Sequence, residues 1–238
     1  MQRFTLFASS VIVIALTACG TRHDSGGNQT VMNNLSESNP MAVTQTPAAS
    51  PSDRLLAAAE PFEALTETAF TDPPHKLDQT IALGRKATAD VRSLLTAATA
   101  TKVDGLLAQV DRDRAANKRA DLALSSIEIY RSLVSSVPAG TKVPIDVSLL
   151  DYSGFRFQAD LKAAPARWDD MKQAVSFARS RWAALSPQIA DKAISGPFEA
   201  ALVNMEKSVQ SRDAKLAASS GTSELDQVDK LEAYFNAR

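Results

Sequence analysis

The sequence predicts an all-α body, and three observations carry that expectation. Apolar residues recur at alternating steps of three and four over long stretches, a spacing that lines them up on one face of a helix. Glycine (9) and proline (11) are few for 238 residues, and aromatic residues make up only 6%, against the β-branched and aromatic enrichment of strands. A hydrophobic content of 45% with 22% charged residues fits one compact unit with appendages and excludes a fibrous or wholly disordered chain.

The expected helices follow in order. Ser52-Asp53 caps a first short helix reaching Phe70, with Pro61 bending or restarting it, and Asp72-Pro73-Pro74 separates it from the next. The second helix carries Leu77, Ile81, Gly84, Thr88, Val91, Leu95 and Ala98 on one stripe and ends near Thr99. A third, from Lys102 to Val137, is the longest, at 1.5 Å per residue roughly 50 Å, and Pro138-Ala139-Gly140 stops it.

After a loop containing Pro144, Val147, Leu150, Gly154, Phe157 and Leu161 again step three and four, although Phe155-Arg156-Phe157 alone also fits a strand fragment. The clearest stripe is Trp168, Met171, Val175, Ala178, Trp182, Leu185 and Ile189. Ser186-Pro187 should break or kink it, because proline lacks the amide donor and collides with the preceding turn. Ser195-Gly196-Pro197 opens another helix with Phe198, Leu202, Met205, Val209, Arg212 and Leu216, and a final segment after Gly221 offers Leu225, Val228 and Phe235. Tyr130, Tyr152, Trp168 and Trp182 read as core at this spacing. Helices of this length bury their stripes by packing antiparallel, so the expected product over residues 53–238 is an up-and-down bundle of about four main helices with short accessory ones.

The residues ahead of the body read differently. Met1 to Ala18 has a basic start at Arg3, an apolar run from Phe4 to Leu16 and a small-residue exit, the layout of an export signal. The run is shorter than the roughly 20 residues a membrane span needs. It ends in Leu16-Thr17-Ala18-Cys19, and Cys19 is the only cysteine of the chain. This tetrapeptide resembles the lipobox of bacterial lipoproteins, where the signal is cut just before an obligatory cysteine.

That resemblance implies that Cys19 becomes the mature N-terminus and the point of lipidation, carrying diacylglycerol on its sulfur. Two or three long acyl chains, at about 0.8 kcal/mol per buried methylene, make such an attachment effectively permanent. Gly20 stands where Asp commonly signals inner-membrane retention, so the family analogy points to the outer membrane, facing the periplasm. Loss of Arg3 takes Lys plus Arg from 26 to 25 against 27 Asp plus Glu, a mature net charge of -2. From Gly20 to about Ser52 the chain is rich in Ser, Thr, Asn, Gln, Gly and Pro. Together with Cys19 it is expected to form a lipidated N-terminus and disordered linker over residues 19–52, with a mean reach on the order of 30 Å. His23 in this stretch reads as a solvated linker residue.

Site chemistry is sparse. The near-neutral charge excludes the concentrated basic face a nucleic acid needs. Walker, dinucleotide-loop and nucleophile-elbow motifs are missing, as are Cys-x-x-Cys-His, the paired Glu-x-x-His of di-iron bundles and the short His-and-Glu motif of imelysin-like iron-uptake proteins. His75 is the single histidine of the body; it pairs in principle with Met171 or Met205 as a haem ligand set, or with Glu60, Glu63 and Glu67, which share one helical face, as a loose cation site. The methionines sit on apolar stripes and the glutamates on an acidic, solvated face, so no cofactor is expected.

The third helix holds one oddity. Val103, Val110, Asn117 and Leu124 form one half of its seam and Leu106, Asp113, Ala120 and Ile127 the other, which puts Asp113 and Asn117 where apolar residues belong. Three accounts compete. The helix projects into solvent there; or Asn117 fixes register at a cost in stability; or Asp113, Arg114, Asn117 and Lys118 form a polar docking patch, with Arg114 and Lys118 contacting an anion.

The expected function is that of a lipid-anchored cell-envelope protein whose helical bundle acts as a binding, scaffold or accessory module. The membrane is its partner through the lipid, with another envelope protein as a second partner. A metal- or haem-binding periplasmic bundle is the alternative, and an enzyme of unknown class the third.

Overall fold

The computed structural model describes residues 49–238. They form α1 (Pro51–Thr68), α2 (Pro74–Val91), a 3₁₀ turn (Arg92–Leu94), α3 (Ala97–Ala115), α4 (Arg119–Val134), α5 (Ile145–Leu161), α6 (Trp168–Leu185), a second 3₁₀ turn (Ser186–Gln188), α7 (Lys192–Ser211) and α8 (Ala214–Asn236). The eight helices pack against one another, and no strand occurs among the described residues. Eight helices of comparable length thus stand in place of the expected four or so main helices with short accessory ones. The leader, Cys19 and most of the expected spacer lie outside the described residues.

The differences from expectation sit at helix ends, and each has a local cause. Ser50, not Ser52-Asp53, is the first cap: its Oγ accepts from the Asp53 amide while the Asp53 carboxylate accepts from the Ser50 amide, and Pro51 takes the first helical position. Pro51 and Ser52, read as the end of the spacer, therefore belong to α1, which runs through Pro61 without stopping. The stripe expected to run on to Ala98 crosses a break, because Thr96 accepts from the Thr99 amide and starts α3.

The expected 50 Å rod is two helices. Asn117 has φ 54°, the left-handed conformation Asn adopts more readily than most residues. Around it the Lys118 amide donates to the Asp113 carbonyl (2.8 Å) and the Asn117 amide to the Arg114 carbonyl (3.1 Å), the Schellman pattern that ends helices. The heptad seam through Asn117 presupposed an unbroken helix; the residue is exposed in a turn.

Further along, Phe155-Arg156-Phe157 lies inside α5 and is not a strand. Ser195-Gly196-Pro197 lies inside α7, whose start is set three residues earlier by Asp191 accepting from the Ala193 amide. Gly221 is interior to α8. Arg212, at φ 51°, closes α7 as Asn117 closes α3: the Asp213 amide donates to the Ser208 carbonyl (3.0 Å) and the Arg212 amide to the Val209 carbonyl (3.3 Å). Asp213 then caps α8, so Leu216 belongs to that helix.

These junctions expose a repeat. The starts of α1 and α5, of α2 and α6, and of the two 3₁₀ turns are each 94 residues apart; the starts of α3 and α7, the left-handed Asn117 and Arg212, and the starts of α4 and α8 are each 95 apart. Burial follows the same register. Leu77, Ile81, Gly84, Thr88 and Val91 of α2 match Met171, Val175, Ala178, Trp182 and Leu185 of α6; Ala100, Val103, Leu107, Val110 and Asp113 of α3 match Ser195, Phe198, Leu202, Met205 and Ser208 of α7. The body is one four-helix unit built twice, with one extra residue ahead of α7.

In each unit the first helix packs on the second and fourth, and the third on the fourth. The units meet through α5. Its Leu149, Tyr152 and Phe155 join the core of the first unit, and its Val147, Leu150 and Phe157 that of the second. Gly154 lets α8 approach α5 closely, since a Cβ there would stand 2.6 Å from the Leu225 side chain.

Candidate binding groove

The repeat gives every side chain between the second and third helices of one unit a counterpart in the other. Arg85 of α2 pairs with Asp111 of α3, and the matching Arg179 of α6 pairs with Glu206 of α7 through two bonds of 2.7 and 3.0 Å. The bidentate fork holds Glu206 below the usual carboxylate range and Arg179 above its ordinary value. Arg179 also reaches Glu199, which accepts the Trp182 indole N–H at 2.8 Å.

Beside this shared ion pair the units part. In the first, Arg114 bridges to Asp78 across the two helices, donating from Nη2 to Oδ2 at 3.0 Å with Nε 2.9 Å from Oδ1 in the ion pair. The counterparts of Asp78 and Arg114 are Lys172 and Val209, which make no such bridge. Here α6 and α7 enclose an open groove of about 580 Å³, with Trp168, Val175 and Val209 supplying apolar wall and Lys172, Arg179 and Arg212 supplying cations. The volume is that of a small-molecule site. The side chains of Lys172 and Arg212 are exposed and form no hydrogen bond or ion pair with any described residue.

A second polar cluster lies where α1, α5 and α8 converge. Burial pushes Glu63 up to about 7, helped by repulsion from Glu232, Glu67 and Glu60 and opposed by a hydrogen bond with Asp151. Burial likewise raises Glu232 to about 7, with Asp229 adding to it, and lifts the wholly buried Tyr130 phenol.

The residues singled out from sequence fall in several places. His75 is exposed in the first turn of α2; Glu60 and Glu67 are exposed and Glu63 half-buried on α1. No group of three or more His, Cys, Asp or Glu among the described residues is arranged to hold a metal ion. Met171 and Met205 are fully buried in the core of the second unit. Of the third-helix patch, Asp113 is buried and accepts from Gln109 Nε2 (2.7 Å) and Ser125 Oγ (2.9 Å), tying α3 to α4. Arg114 is taken by Asp78, Asn117 accepts from Arg119 Nε at 2.9 Å, and Lys118 is exposed. The patch is the α3–α4 turn and its anchors. Nothing in the sequence marks Lys172, Arg179 and Glu206 until the two stripes are superposed, and Arg212 reads only as a stripe position of its helix, where the structure has it closing α7.

No protein-family model, no curated protein and no solved structure matches this chain.

Proposed function

We propose that this chain is a cell-envelope lipoprotein, held to the membrane through Cys19, whose helical body works by binding a ligand in the groove between α6 and α7. The lipobox-like Leu16-Thr17-Ala18-Cys19 supports the placement, and outer-membrane anchoring facing the periplasm follows from Gly20 by family analogy. The observation that carries the binding role is the groove itself, an open space lined by two cations, Lys172 and Arg212, whose side chains form no hydrogen bond or ion pair with a described residue. Short connections between successive helices support an up-and-down arrangement, with the second and third helices of the second unit presenting the binding face.

Two experiments test this reading. In a bacterial host fed labelled palmitate, the wild-type chain takes up label and stays with the membrane, while Cys19→Ser does neither; an unlabelled wild type, or a labelled Cys19→Ser, refutes the placement. For binding, a thermal-shift survey across cationic, neutral and anionic small molecules finds compounds that raise the melting midpoint of wild type but not of Ser176→Trp. That substitution fills the groove from an exposed position of α6. A survey in which every shift survives Ser176→Trp refutes the groove.

A further inference from the structure

The comparison of the two units also points to what the groove takes, an inference that rests on the groove being a binding site. Three positions differ in the same direction. Asp78 becomes Lys172, so an anion gives way to a cation; Arg114, which neutralised Asp78, becomes Val209, which opens apolar wall; and Asn117 becomes Arg212. In the first unit Arg85, Asp111, Asp78 and Arg114 neutralise one another in pairs. In the second, Arg179 and Glu206 do the same, leaving Lys172 and Arg212 against one uncommitted carboxylate, Asp169.

The placing of Arg212 adds to this. Its backbone is left-handed at φ 51°, a conformation that costs an ordinary L residue roughly 1–2 kcal/mol and suits Asn or Gly better. The first unit has Asn at the same point. The second holds a long cation there, lining the groove, whose side chain forms no hydrogen bond or ion pair with a described residue. The left-handed backbone closes α7, as Asn117 closes α3, but the turn itself does not call for a long cation, and a residue less suited to its backbone than Asn or Gly is characteristic of functional positions.

We infer that the groove between α6 and α7 binds a small organic anion, its acidic group met by Lys172 and Arg212 and its flat or aliphatic part lying against Trp168 and Val209. A bare inorganic anion would leave the apolar wall unused, and a neutral molecule would leave both cations unpaired.

The test uses two dyes that differ in the charged group, 1-anilinonaphthalene-8-sulfonate and the uncharged N-phenyl-1-naphthylamine. The full chain is titrated with each, following dye emission and tryptophan quenching. The sulfonate binds saturably at one site and the neutral dye roughly tenfold more weakly, about 1.4 kcal/mol. Transplanting the first unit's bridge as Lys172→Asp with Val209→Arg lowers sulfonate affinity at least about tenfold, with circular dichroism and melting midpoint kept. Should that pair of substitutions unfold the body, Lys172→Met removes the charge from an exposed site, and the same dye loses affinity while the neutral one does not. Equal affinity for both dyes, with both lost on transplanting the bridge, overturns the anion and leaves the groove as a site for neutral ligands. Sulfonate binding that is absent, or indifferent to Lys172 and Val209, overturns the anion assignment, and the thermal-shift survey then decides the groove separately.

Discussion

Adding a single methyl group should have opposite effects at two helical glycines, and the structure gives the size of each. In Gly154→Ala the new Cβ would stand 2.6 and 2.8 Å from Leu225 Cδ2 and Cγ, and closer still to Glu224 Oε2. Carbon pairs are most favourable near 3.5–4.0 Å, so about 1 Å must be relieved between α5 and α8. Neither neighbour has room to yield: Leu225 is 2% exposed and Glu224 0%. Overpacking of this kind costs about 1–3 kcal/mol, and with both neighbours enclosed the upper end applies. Alanine recovers about 1 kcal/mol of helix propensity, leaving a net loss of about 2 kcal/mol. In Gly105→Ala, inside α3, a Cβ meets nothing within 4 Å, so only the propensity gain of about 1 kcal/mol remains. The two variants should differ by about 3 kcal/mol, or roughly 6–12 °C in melting midpoint for a body of this size. Urea unfolding followed by circular dichroism reads the same difference as a shift in midpoint at unchanged slope. A Gly154→Ala chain that melts at or above Gly105→Ala would refute the close α5–α8 approach.

Two further outcomes are expected. Glu63 and Glu232 keep their protons in the fold up to about pH 7, whereas the unfolded chain releases them near the ordinary value of 4.5. Over that window the unfolded state binds fewer protons, so stability falls as pH rises through it. Unfolding free energies from urea titrations at about pH 5 and about pH 8 should differ by on the order of 2 kcal/mol for each of the two groups, in favour of the lower pH, and Glu63→Gln should shrink the difference; equal values would contradict the burial of this cluster. Arg212→Gly should stabilise the body by about 1 kcal/mol, because glycine adopts φ 51° without strain, while weakening 1-anilinonaphthalene-8-sulfonate. A loss of stability would show that the Arg212 side chain supports the fold.

Much of this body is legible in the residues alone. The stripes of α2 and α6 mark both helices, since burial of an apolar face leaves a helical period, and overrun them only at the C-terminal ends, where Leu95, Ala98 and Ile189 lie beyond. Pro187 marks the end of α6 as proline should. What escapes is punctuation by residues with more than one use. Asn117 reads equally as a seam position and as a left-handed turn, and the bonds that decide for the turn form only once the chain bends. Gly196 and Pro197, strong breakers in isolation, sit inside α7 because the Asp191 cap has already fixed its start. The repeat is present in the sequence as two stripes of identical spacing, but identity is thin: Leu55 and Leu149, Gln79 and Gln173, Arg85 and Arg179 agree while most neighbours do not. Core packing constrains volume and polarity more than residue type, so Leu77 opposite Met171 preserves the fold and hides the relation. The groove is harder still, being defined by an ion pair that one unit makes and the other lacks.

Building the body as two consecutive units also governs how such a chain reaches its final state. Extensive helix packing joins neighbours in the chain or the first and last helix of one unit, so no major loop closure spans more than one unit's length. Short closures of this sort give low contact order and rapid assembly. The leading half can settle before its successor is complete, and α5, the seam between them, then offers the nascent second half a template already in place.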